Sequence, residues 1–314
     1  MRYVEQGINK DLVDFIRFLI TKFSMKQRTI TGIIIAIFVI PFIIFGQYFI
    51  AAFVGLLSLL SVKEFLDIKK KSGQEKTPLY VYIICMLFSL LLIFDIYVIS
   101  DYGFNFANAT LQNYGLNTLW VMLLAISLFT SSVFDKKFSI IDAFYSFATT
   151  IFLSLGLKGM LYLRLFGELD KVGILLLAYV VLVSCLTDIF AYFGGMTCYK
   201  LLGSDKVHKL NERISPKKTI EGCLVGTIIG TLLGFVFAFF LLKELNFKWY
   251  LLLIMSLALS LAGQIGDLIL SANKRHFNVK DYSNLLPGHG GVLDRIDSLL
   301  VNCMIAATFI SLIA

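Results

Sequence analysis

Gly266–Ser298 reads GDLILSANKRHFNVKDYSNLLPGHGGVLDRIDS, and it packs more polar groups than any other part of the chain between two long apolar runs. One run begins near Trp249 and ends at Asp267; the other opens at Asp294 and Asp297 and continues to the C-terminus. Both runs are long enough to cross a bilayer, so the three carboxylates sit at or just inside a membrane surface. Ionised groups there are costly unless they pair or bind a cation. Asp294 and Asp297 are three apart and share a helix face, as do Asp267 and Ser271, with Lys274 one turn further on. Pro287-Gly288-His289-Gly290-Gly291 turns the chain back beside that face. Carboxylates facing each other across two helices suit a hard cation such as Mg²⁺. Lys274, Arg275, Lys280 and Arg295 are close in sequence and able to hold phosphate oxygens. This is the equipment of phosphoryl or nucleotidyl transfer.

Working outward, the chain's 314 residues are 58% hydrophobic and only 16% charged, with mean hydropathy +0.83. That composition excludes an ordinary soluble domain and predicts an all-α polytopic integral membrane protein. The net charge of +7 follows membrane topology and is no nucleic-acid footprint. Cys85, Cys185, Cys198, Cys223 and Cys303 show no paired spacing, which argues against disulfides and zinc. Residues 1–28 lack the apolar core of a signal peptide. Leu12, Phe15, Ile16, Leu19 and Ile20 repeat at helical spacing among Lys10, Arg17 and Lys22, as an interfacial helix would, and an extension without fixed structure fits equally well.

Nine apolar segments are expected, at about 30–45, 47–66, 79–99, 116–132, 138–157, 172–197, 219–242, 249–271 and 292–313. With a cytoplasmic N-terminus, 23 of the 28 Lys and Arg residues fall on the cytoplasmic side, in 1–29, 63–78, 133–138, 198–218 and 272–295. The loop from Asp101 to Thr118 has no Lys or Arg, as an external loop should. The polar stretch then faces the compartment that holds nucleoside triphosphates. Three regions result: a cytoplasmic N-terminal extension over 1–28, N-terminal transmembrane helices over 29–170, and a catalytic transmembrane region over 171–314.

Two further features of the last region bear on chemistry. Asp188 lies well inside an apolar run, one turn before Tyr192 and near Gly194 and Gly195, and a carboxylate so placed is a functional candidate. Ser215-Pro216-Lys217-Lys218 reads as the start of a helix, with Ser215 as N-cap and Pro216 in the first position. A helix N-terminus with two lysines binds phosphate well. Glu64, in Val62-Lys63-Glu64-Phe65, reads as an interface residue paired with a nearby base.

Ser271-x2-Lys274-Arg275-x4-Lys280-Asp281-x-Ser283-x2-Leu286-Pro287-x-His289-Gly290-Gly291-Val292-x-Asp294-Arg295-Ile296-Asp297 resembles the signature of the phosphatidate cytidylyltransferases, the CDP-diacylglycerol synthases, of bacterial type. Asp188-x2-Ala191-Tyr192-x2-Gly195 and Ser215-Pro216-Lys217-Lys218-Thr219-x-Glu221-Gly222 are similar to two further motifs of that family, in the right order. Asn273 departs from it, standing where the family usually has an apolar residue, and Met196 to Ser204 keep less of the pattern. Met25-Lys26-Gln27-Arg28 resembles the usual family beginning, which makes residues 1–24 an addition.

The resemblance implies transfer of the cytidylyl group of CTP to phosphatidate, releasing pyrophosphate, at a site on the cytoplasmic side of the inner membrane. Asp267, Asp294 and Asp297 would hold Mg²⁺, with Lys274 and Arg275 beside them. Ser215, Lys217, Lys218, Thr219, Asp188, Ser271, Lys280, His289 and Arg295 would bind the substrates. A second cation such as K⁺ and a homodimer stay open. The partners implied are CTP, phosphatidate and the lipid bilayer, with no nucleic acid. The pattern of the CDP-alcohol phosphotransferases is absent; a lipid kinase and a cation-coupled transporter are the remaining rivals.

Overall fold

The computed structural model describes residues 32, 37, 39–45, 47–73, 75–98, 114–166, 170–203 and 206–313. The expected interfacial helix and the loop around Asn113 lie outside the described residues, as does most of the segment expected at 30–45. The other eight apolar segments each match a helix: α1 (Gln47–Lys71), α2 (Leu79–Val98), α3 (Tyr114–Phe134), α4 (Ile140–Leu165), α5 (Asp170–Leu202), α6 (Ile220–Leu241), α7 (Trp249–His276) and α8 (Leu293–Ile313). Six of these are long and apolar enough to cross a membrane: α1, α4, α5, α6, α7 and α8. Apolar stretches in α2 and α3, Leu79–Phe94 and Thr118–Phe134, are shorter. The protein is therefore an all-α polytopic membrane protein, apart from one short hairpin.

Several helices outrun their apolar segments on the side where the basic loops lie. α1 extends to Lys69, Lys70 and Lys71, and α7 to Lys274, Arg275 and His276, where cations complement the helix C-terminus. α4 starts with a capping box in which Ser139 and Asp142 exchange hydrogen bonds, and Asp142 also pairs with Lys69 of α1. The two halves share one core, and α8 packs on α4 as well as on α7.

α5 and α6 pack most closely. Gly222, Gly226, Gly230 and Gly234 recur every four residues along α6, all buried, while Ile220, Leu224, Ile228 and Leu232 on the same helix are exposed. A Cβ on Gly226 would stand 2.6 Å from the Thr187 carbonyl oxygen, and one on Gly222 2.6 Å from that of Ala191. Only glycine lets the two backbones approach so closely, and in a bilayer such packing takes the place of a hydrophobic drive between helices. This contact brings Asp188 of α5 up to the start of α6.

The α5–α6 connection departs from expectation. Ser215 and Pro216 do not open a helix. They begin β2 (Ser215–Thr219), which runs antiparallel to β1 (Lys209–Asn211), pairing Lys209 with Thr219 and Asn211 with Ser215. The cause is local: the Asn211 side chain accepts the Ile214 N–H at 3.1 Å, which turns the chain back on itself. Pro216, without an N–H, is tolerated in so short a hairpin, and its carbonyl accepts from Lys209 Nζ at 2.8 Å. The cap of α6 is Thr219, whose hydroxyl accepts the Gly222 N–H at 3.1 Å.

Candidate active site

A cleft of about 620 Å³ opens where α5, α6, α7 and β2 meet. Its walls carry Asp188, Tyr192, Lys217, Lys218, Thr219, Gln264 and Asp267. Lys218 Nζ donates to Asp267 Oδ2, and the Ser271 hydroxyl donates to Asp267 Oδ1 at 3.0 Å. Burial works against the charge on Lys218, but Asp267 in contact and Asp188 nearby more than offset it and hold the ammonium above its ordinary range. Behind Asp267, the Ser298 hydroxyl reaches both Asp188 Oδ2 at 3.2 Å and Asp297 Oδ1 at 3.4 Å. Asp188, Asp267 and Asp297 each lie within reach of another's charge. Three carboxylates from three helices thus come together, with Asp188 and Asp267 on the cleft wall beside Lys218 and Asp297 joined to Asp188 through Ser298.

The signature loop builds a second polar centre. The Asp294 carboxylate accepts from Lys274 Nζ at 2.8 Å, from the Tyr282 N–H at 2.9 Å and from the Gly291 N–H at 2.9 Å. Its side chain is 3% exposed and that of Lys274 9%. Asp294 therefore stands apart from the carboxylates with which it was grouped: both its oxygens are engaged in holding the loop. Positions three apart on a helix diverge by about 60°. That angle lets Asp294 face the loop while Asp297 faces α5 and α7. The carboxylate that joins Asp267 and Asp297 is instead Asp188.

The other expected substrate ligands are also redistributed. Arg275 donates to the Val279 carbonyl at 2.9 Å and the Ile214 carbonyl at 3.3 Å, tying the loop to the hairpin instead of lining the cleft. Lys280 and Arg295 are exposed and off the cleft wall. Ser215 begins β2 outside the cleft. The N–H groups opening α6 are partly engaged already, since Ile220 N donates to the His208 carbonyl at 3.0 Å and Gly222 N to Thr219. His289 donates its own N–H to the Leu286 carbonyl at 2.8 Å, and its ring lies beside Gly32. Asn273 is a structural bridge, donating to the Tyr282 hydroxyl at 2.9 Å and the Tyr145 hydroxyl at 3.2 Å.

One residue of this region carries a role its sequence context did not suggest. Glu64 is 5% exposed, and its carboxylate accepts the N–H groups of Val292 at 3.0 Å and Leu293 at 2.9 Å, together with the Ser283 hydroxyl. Its bonds run to the signature loop and to the start of α8. No local signal pointed there, because the partners are more than 200 residues away in sequence.

The chain matches the Cytidylyltransferase family over residues 26–313. It belongs to that family. A phosphatidate cytidylyltransferase of Staphylococcus haemolyticus (strain JCSC1435) is 32% identical over 277 residues, covering 88% of this chain and 95% of that protein. The proteins of the same name from Staphylococcus epidermidis (strain ATCC 12228 / FDA PCI 1200) and Bacillus subtilis (strain 168) are 33% and 34% identical over 276 and 278 residues. Each alignment covers 88% of this chain, with 95% and 94% of those relatives. Both polar centres of this family member, the cleft and the signature loop, lie inside the matched span.

Proposed function

We propose that this cytidylyltransferase makes CDP-diacylglycerol from CTP and phosphatidate in the bacterial inner membrane. The observation that carries the reading is the cleft itself, with the Asp188 and Asp267 carboxylates of two membrane helices facing Lys217 and Lys218 at its wall, and Asp297 of a third helix joined to Asp188 through Ser298. A phosphate oxygen of phosphatidate attacks the α-phosphorus of CTP. The bond from that phosphorus to the bridging β-oxygen breaks, and pyrophosphate leaves with the electron pair. The attacking group is already an anion, so no Ser or Cys nucleophile is required. The protein's task is to align two polyanions and offset their repulsion. Lys218 neutralises phosphate oxygens as it leaves Asp267, and Lys217 assists at the cleft wall. Ile189 and Phe193 are exposed beside the cleft on α5, an apolar flank along which acyl chains slide in from the bilayer.

Among the described residues no group of three His, Cys, Asp or Glu side chains is arranged to hold a metal ion by itself. Mg²⁺ is commonly held by one or two carboxylates plus substrate phosphates. Asp188 and Asp297, joined by the Ser298 hydroxyl, are the fitting pair, with Asp267 available once Lys218 turns to phosphate. When bound there, the ion supplies Lewis-acid stabilisation of the charge on the phosphates. Asp294, saturated by three donors, is not assigned to it.

The assay is incubation of the purified protein with phosphatidate, Mg²⁺ and each nucleoside triphosphate in turn. Pyrophosphate should appear in step with CDP-diacylglycerol, only with CTP or its deoxy form, and only when phosphatidate is present. Release of ADP from ATP would make the chain a lipid kinase and end this reading. The distribution of Lys and Arg supports a cleft that opens to the cytoplasm. Single cysteines at Lys137 and Lys280 should label only in permeabilised cells; labelling in intact cells would reverse the orientation.

A further inference from the structure

We propose that Glu64 is a positioning residue of the transfer reaction: through it, α1 sets where α8 begins and so where Asp297 stands relative to Asp188 on the cleft wall. The proposal rests on the functional reading above.

The first N–H groups of a helix have no partner within it. Most helices solve this locally, with Ser, Thr, Asp or Asn at the N-cap. The residues that lead into α8 are Gly290, Gly291 and Val292, which offer no side-chain acceptor. The acceptor comes instead from Glu64, 228 residues before Val292 and 229 before Leu293. One carboxylate oxygen takes the Val292 N–H and the Ser283 hydroxyl, and the other takes the Leu293 N–H. Among the described residues no Lys or Arg pairs with Glu64, so its charge is met by these donors and by the positive end of α8. A Cβ at position 291 would lie 2.6 and 2.7 Å from the two carboxylate oxygens, so any residue but glycine there pushes the Glu64 carboxylate out of this grip. Lys71, two turns further along α1, donates to the Tyr282 carbonyl. α1 therefore holds the signature loop at both ends.

The consequence lies one turn into α8. Asp297 and Ser298 follow Leu293 by four and five residues, and Ser298 is the hydroxyl that joins Asp297 to Asp188. A helix transmits a displacement of its first turn to the next, because packed interiors relax little. Release of Glu64 would shift Asp297 while leaving Lys217, Lys218 and Asp188 in place. The expected signature is a fall in kcat at nearly constant KM, the pattern of an interaction used only in the transition state.

The test uses the full chain in detergent or nanodiscs, with activity expressed per folded molecule. Glu64→Gln keeps the shape but can no longer accept at both oxygens. Its kcat should fall by about 10- to 100-fold, the scale on which partners that orient a site act. KM for CTP and for phosphatidate should stay within about twofold. Gly291→Ala, which pushes a methyl group against the same carboxylate, should do likewise. The double variant should lose less than the product of the two single losses, since both act on one contact. Glu64→Asp should recover part of kcat. Glu75→Gln, exposed and outside the site, is the control with unchanged kinetics. A lowered Tm with normal kcat per folded molecule would make Glu64 a structural residue only and overturn the proposal. Should Glu64→Gln fail to fold, Ser283→Ala removes only one of the three donors, and normal kcat in it and in Gly291→Ala would overturn the proposal equally. A wild-type protein that makes no CDP-diacylglycerol defeats the functional reading; an active wild type with fully active variants defeats this inference alone.

Discussion

Two lysine–aspartate pairs stand near the same membrane surface, and they differ in what surrounds them. Lys274 and Asp294 are 9% and 3% exposed, and Asp294 also accepts two backbone N–H groups. Lys218 and Asp267 are 25% and 24% exposed on the wall of an open cleft, with Asp188 close by. Every acceptor of the first pair is committed, so the pair acts as a rivet between α7, the loop and α8. The second pair lies on an open wall, and under the proposed function it separates when substrate phosphate reaches Lys218 and a cation reaches Asp267. Saturation and access, not the identity of the residues, divide the pair that holds the loop from the pair that the proposed function puts to work.

The largest effect is expected at the cleft. Asp297→Asn, Asp267→Asn and Asp188→Asn should each lower kcat by at least ~100-fold, the scale of losing one key electrostatic stabiliser. Folding should survive, since an amide relieves a crowded carboxylate in the membrane. Activity per folded molecule, followed through a Mg²⁺ titration, measures this; near-normal rates in all three would move the chemistry elsewhere.

Asp294→Asn should break the other way. It strands the Lys274 ammonium in a buried site, and removing one partner of such a pair costs about 3–5 kcal/mol of stability. The molecules that do fold should lose clearly less activity than Asp297→Asn. Thermal unfolding in detergent, read beside the assay, decides it: a stable Asp294→Asn protein with activity as low as that of Asp297→Asn would erase the distinction between the two pairs.

The smallest effect is expected at Lys280, exposed and off the cleft wall. Lys280→Ala should change KM for CTP by no more than about fivefold, since exposed charges contribute at most ~1 kcal/mol. A rise of tenfold or more in steady-state kinetics would show that the loop folds over the bound nucleotide.

Much of the molecule can be read along the chain. Apolar runs fall where eight helices lie, six of them long and apolar enough to cross a bilayer, because the membrane leaves helices as the only economical form for such runs. Asp267 and Ser271, four apart on α7, are indeed hydrogen-bonded, as local helical geometry demands. Asp188 was suspect for its position inside an apolar run. The helix expected at Ser215 is a strand, because the Asn211 side chain and pairing with Lys209–Asn211 outweigh a good capping sequence. Local signals of that kind are worth only about 1 kcal/mol.

The family, the helical class and the polar stretches follow from composition and linear motif alone, since each depends on residues near one another in the chain. Which carboxylates share a site does not. Asp294 and Asp297 look equivalent in sequence, yet one is saturated by Lys274 and the loop while the other meets Asp188, 109 residues earlier. Glu64 caps a helix from the opposite half of the chain. Such assignments depend on which donors come within about 3 Å. For groups so far apart in sequence, only the packing of α1, α5, α7 and α8 brings them there.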